Sequence, residues 1–73
     1  MPAPKDQTML RLDSQKVLVA MAENVWEPLD LAEAAEIPVN LVYIARRGYH
    51  IKPKYAGKIA RALGVSVTDL IAT

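Results

Sequence analysis

Cysteine is absent from the 73 residues, so neither a disulfide nor a cysteine-based zinc site can staple the fold. Histidine occurs once, as His50, and one imidazole cannot make a metal site alone. There is no glycine-rich phosphate loop, and no Asn-Gly or Asp-Gly pair marks a tight hairpin. The longest apolar run, Val17 to Ala22, is far too short to cross a membrane, and the opening "MPAPKDQTM" lacks the apolar stretch of a secretory signal. Internal repeats and low-complexity tracts are missing as well. These absences argue against an enzyme, a metal or cofactor protein and a membrane protein. The expectation is a cytoplasmic chain with no cofactor and no membrane partner.

What is present is a single small domain. A chain of this length buries little surface, so tight helix packing has to supply its stability. Net charge is only +1, but the charges are segregated. Glu23, Glu27, Asp30, Glu33 and Glu36 form an acidic stretch with no base in it, whereas Arg46, Arg47, Lys52, Lys54, Lys58 and Arg61 form a basic one with no acid. Residues 1–11 read as a flexible leader and 12–73 as the folded domain.

Helical signals dominate, and strand alternation is weak. A first helix is expected from about Ser14 to Asn24, capped by Asp13 or Ser14, with Val17, Ala20 and Met21 on one face. Val19 points the opposite way, flanked by Leu18 and Ala22, which makes this helix more apolar than a one-sided helix needs to be. A second helix starts at Pro28, with Leu31, Ala32 and Ala35 inward, and Trp26 just before it plugs the core. A third runs from near Pro38 to a closing Gly48, with Arg46 and Arg47 at its negative end. A fourth opens at Pro53 and stops at Gly64; Tyr55, Ala56, Ile59, Ala60 and Leu63 face in, and Lys54, Gly57, Lys58 and Arg61 face out. "SVTD" at 66–69 is a capping-box variant that opens a short fifth helix. The expected core is Val17, Ala20, Met21, Trp26, Leu31, Ala35, Ile37, Val42, Ala45, Ile59, Leu63, Val65 and Leu70.

Two short helices, 28–35 and 38–47, are separated by almost nothing, which is helix-turn-helix spacing. Here the chain resembles the Cro/CI-type (XRE-family) helix-turn-helix proteins of phages and mobile elements. "LDSQKVLVAMAE" resembles the family's first helix, "LAEAAEIPVNLVYIARRG" its turn and recognition helix, and "KPKYAGKIARALGVSVTDLI" its last two helices. The resemblance covers about residues 12–71. It implies an all-α, five-helix, lambda-repressor-like helix-turn-helix bundle, frequent dimerisation and binding to operator DNA. The chain departs from the family in the turn, where Glu36 stands in place of the usual glycine. It departs again at the start of the second helix, where Pro28 replaces a phosphate-holding glutamine, and at Pro38, which replaces a Ser or Thr cap.

With Val42 and Ala45 turned inward, the third helix presents Asn40, Tyr43, Ile44 and Arg47, with Val39 and Arg46 at the borders. Two readings of this face stand side by side. As a DNA reader, Asn40 pairs with an adenine edge, Arg47 reaches guanine or a phosphate, and Val39 and Ile44 press on thymine methyls. Tyr43, Arg46, Tyr49, His50, Lys52 and Lys54 then hold backbone phosphates. As a protein reader, Val39, Tyr43 and Ile44 form an apolar centre with an Arg rim, the composition of an interaction hot spot. The partner in that case is a repressor protein, and the chain is a small modulator or antirepressor. The blandest reading of the basic stretch is a solvated face. A homodimer would use Leu18, Val19 or the C-terminal Leu70 to Thr73.

Overall fold

The computed structural model describes residues 9–72. The chain forms β1 (Leu10–Arg11), α1 (Ser14–Glu23), α2 (Pro28–Ala35), α3 (Val39–Arg46), β2 (His50–Ile51), α4 (Pro53–Leu63) and α5 (Val67–Leu70). It is mostly helical, with five helices and one small two-stranded sheet. α2 packs on both α3 and α4, and α1 packs on α3 and α5. Among the described residues no helix is long and apolar enough to cross a membrane.

The helix starts follow from their capping residues. The Asp13 carboxylate accepts the N–H groups of Gln15 at 2.9 Å and Lys16 at 3.1 Å, satisfying two free donors of α1. Proline opens α2 and α4, where a missing N–H costs nothing. The Asp30 carboxylate accepts the Glu27 N–H at 2.9 Å in front of α2. Ser66 and Asp69 cap α5 reciprocally, as the "SVTD" spacing predicts. Pro38 precedes α3 without a side-chain cap.

The helix ends share one device. α1 to α4 are each followed by a residue in the left-handed region: Val25 at φ 57°, Glu36 at 58°, Gly48 at 78° and Gly64 at 77°. In each case the next residue donates its N–H to the carbonyl five positions back. These bonds are Trp26 to Met21 at 2.9 Å, Ile37 to Ala32 at 3.0 Å, Tyr49 to Ile44 at 3.2 Å and Val65 to Ala60 at 3.0 Å. This is the Schellman arrangement, and it satisfies carbonyls that the short helices leave free. Gly48 and Gly64 do it without strain; Val25 and Glu36 carry a Cβ where glycine fits best.

The core contains Leu12, Val17, Leu31, Val42, Ile59 and Leu70 as its largest fully buried side chains. Trp26 and Val65, expected inside, are half-buried and pack against its edge. Each follows a left-handed closing residue and packs at the end of a helix, on the rim of the core. On α4, Tyr55 is half-buried rather than inside, and Gly57 and Lys58 are half-buried rather than outside.

The strands are the main departure from the helical expectation. Leu10 and Arg11, expected in the flexible leader, pair antiparallel with Ile51 and His50. The rest of that leader, residues 1–8, lies outside the described residues. The same extended segment meets the end of the chain through a Leu12–Ile71 bridge. Two bonds hold it there, Asp13 N–H to the Leu70 carbonyl at 2.7 Å and Ala72 N–H to the Arg11 carbonyl at 2.9 Å. Side chains alternate along the segment, so Arg11 is exposed and Leu12 is buried completely. Ile51 on β2 is buried with it.

Two stability changes follow. Leu12→Ala removes a fully buried side chain where two chain segments meet, and should cost about 2–5 kcal/mol in urea unfolding. Val25→Gly should raise stability by about 1 kcal/mol, because it relieves a left-handed, β-branched residue whose side chain is 88 % exposed and packs on little. A Val25→Gly protein that melts earlier than the parent would mean that the isopropyl group is stabilising after all.

Candidate nucleic-acid interface

α3 is seated by Val42 and Ala45, both completely buried. Its period of 3.6 then places Asn40, Tyr43 and Arg47 on the opposite side, and all three are exposed. Val39, Ile44 and Arg46 are half-buried. Val39 and Ile44 pack against the core. The wheel places Ile44 fully outward; in the fold it sits at the edge of the contact with the rest of the bundle. The apolar centre predicted on this face therefore shrinks to Tyr43, which keeps 45 % of its surface exposed.

Arg46 lies one turn beyond Tyr43, with its guanidinium carbon 6.0 Å from the centre of the Tyr43 ring. A cation near an aromatic face is held by about 0.5–1 kcal/mol. The Arg46 Nε is buried and finds no hydrogen-bond partner among the described residues. A buried donor left without a partner costs free energy.

The chain then runs through Tyr49, 59 % exposed, and His50, exposed on β2. Lys52 and Lys54 are exposed at the start of α4, and the Lys54 ammonium lies 5.8 Å from the centre of the Tyr55 ring. All ten residues predicted for the site thus fall on α3 or on the short segment that follows it.

One cation is missing from that prediction. Arg11 is brought beside His50 by the β1–β2 register. It also lines an open depression of about 330 Å³ with Arg47, Gly48, Asp13 and Ser14. The depression thus holds two guanidinium groups against one carboxylate, that of Asp13, whose Oδ1 accepts the N–H groups of Gln15 and Lys16. The only sequence signal for Arg11 is the alternation Leu10-Arg11-Leu12, three residues long, which is too brief to establish a strand.

The acids lie elsewhere. Glu23 ends α1, Glu27 precedes α2, Asp30 and Glu33 lie on α2 and Glu36 closes it, and all five are exposed. The described residues contain no cluster of three or more His, Asp or Glu side chains suited to a metal ion. Comparison with known protein families, curated proteins and solved structures finds no match.

Because Ile44 is half-buried against the core, Ile44→Asp should destabilise the domain by about 1–3 kcal/mol. A thermal melt of that variant checks the point. An unchanged midpoint would return Ile44 to the free face.

Proposed function

We propose that this chain is a sequence-specific DNA-binding transcriptional regulator. In this reading its fold is the five-helix, lambda-repressor-like helix-turn-helix bundle, and α3 lies in the major groove of operator DNA. α2 and α3 form the helix-turn-helix pair, joined by the turn at 36–38. An α-helix, about 10–12 Å across with its side chains, fits a major groove about 12 Å wide.

The observation that carries this reading is the composition of the face around α3. Asn40, Tyr43 and Arg47 are exposed on the helix, Arg46 stands at its border beside Tyr43, and cations flank it in the chain and across the sheet. Asn40 suits the adenine edge, to which its amide offers one donor and one acceptor. Arg47, at the C-terminal end, reaches a guanine edge or a phosphate. Arg11, Arg46, His50, Lys52 and Lys54 hold the backbone, with Tyr43 and Tyr49 donating hydroxyl hydrogen bonds to phosphate oxygens. The acidic stretch is carried by the end of α1 and by α2 rather than by α3. The rival reading, a modulator that grips a repressor protein, needs an apolar centre on α3. With Val39 and Ile44 partly given to the core, Tyr43 alone remains to supply it.

Selection from a randomised duplex pool, read by sequencing, tests the proposal. Wild type should enrich one motif. Asn40→Ala should lose preference at one position of that motif, by about 1–3 kcal/mol. Arg11→Ala should weaken all sequences alike and lower the dependence of log K on log salt by about one. A pool that stays unenriched after wild-type selection, at low salt, would sink the DNA reading.

A further inference from the structure

α1 carries two apolar faces, and the bundle covers only one. Val17, Ala20 and Met21 are buried. On the opposite side Gln15, Leu18, Val19 and Ala22 follow one another at i, i+3, i+4 and i+7, and all four are exposed. Leu18 keeps 39 % of its surface in solvent and Val19 49 %. That spacing is a continuous helix seam with a single polar member, and it stays exposed among the described residues. Two charges flank the seam, Lys16 and Glu23, both exposed. They stand seven residues apart, two turns, and so lie on the same side of the seam.

We infer that this seam is the contact between two copies of the chain, with the two α1 helices packed antiparallel about a two-fold axis near Val19. Charge decides both the occupant and the direction. In an antiparallel pair, equal flanks of the two helices face each other with positions reversed. Lys16 of each copy then stands opposite Glu23 of the other, forming two symmetric ion pairs around Leu18 and Val19. A parallel pair would set this charged flank against the uncharged one and leave all four charges without partners. A self-complementary patch is what a two-fold contact requires. The C-terminal alternative offers less: Leu70 is buried, and Ile71 and Ala72 are engaged with Leu12 and Arg11.

A ten-residue helix is about 15 Å long, and one such pair falls below the area of a permanent interface. The dimer is therefore weak in free solution and dissociates readily. If the DNA reading holds, an inverted-repeat operator strengthens it by holding two copies together.

Sedimentation equilibrium of the free protein, up to about 1 mM, tests the contact without DNA, so failure of the DNA reading cannot be mistaken for failure of this one. Wild type should shift from monomer to dimer across the series. Val19→Glu should stay monomeric while keeping the parent's helical circular dichroism, since Val19 lies off the core face. Lys16→Glu should weaken association about tenfold, and Lys16→Glu combined with Glu23→Lys should restore it. A wild type that remains monomeric throughout would overturn the inference. So would a Lys16→Glu/Glu23→Lys double variant no tighter than Lys16→Glu alone.

Discussion

Helices of eight to eleven residues are marginal in water, since each leaves many of its backbone groups unpaired and gains little from propensity. α1 to α4 all work under that constraint, and they meet it the same way. A left-handed residue reverses the chain, and the next N–H closes the last turn. That second residue is apolar or aromatic each time. After α1, α2 and α4 the hydrogen bond that ends the helix also turns a side chain toward the core: Ile37 goes inside, while Trp26 and Val65 seal the rim. After α3 it leaves Tyr49 exposed, on the face of the candidate site. For three of these four helices, closing the helix and packing the bundle are one operation.

The same economy builds the candidate site. Gly48 ends α3 and sends the chain straight into β2, which places Tyr49, His50, Lys52 and Lys54 just beyond the exposed end of the helix. β2 pairs with β1, and that pairing carries Arg11 to the same place from the far end of the sequence. Leu12, one residue on, is the anchor. Its burial fixes which way the segment faces, since a slip of one residue would bury the arginine and expose the leucine. A core residue thus decides where a surface cation stands.

The helices were legible in the sequence because their signals are local. Asp13, Pro28, Pro53, Gly48, Gly64 and the Ser66–Asp69 box each act within a few residues. Val42 and Ala45 set the phase of α3, which was enough to expose Asn40, Tyr43 and Arg47. The rest has physical causes of three kinds. β1 and β2 are two residues each, too short for a period of two to register, so Leu12, Ile51 and Arg11 passed unnoticed. Val25 and Glu36 take a backbone conformation that their side chains disfavour. The hydrogen bonds that close α1 and α2 across them accompany it, and composition gives no sign of it. Ile44 was misjudged for a third reason: a helical wheel assigns direction but not how far a neighbouring element reaches around the helix.

The bond from Asp13 to Leu70 spans nearly the whole described chain, and Leu12 meets Ile71 beside it. During synthesis residues 10–13 emerge well before residues 70–72. α1 and α2 can form on the ribosome, but the pocket around Leu12 stays open on one side until residues 70–72 have emerged. Folding is therefore gated by that late contact, and a nascent chain interrupted before residue 70 would display an unsealed core. A cell's quality-control machinery reads that kind of surface, so incomplete copies would be the ones it clears.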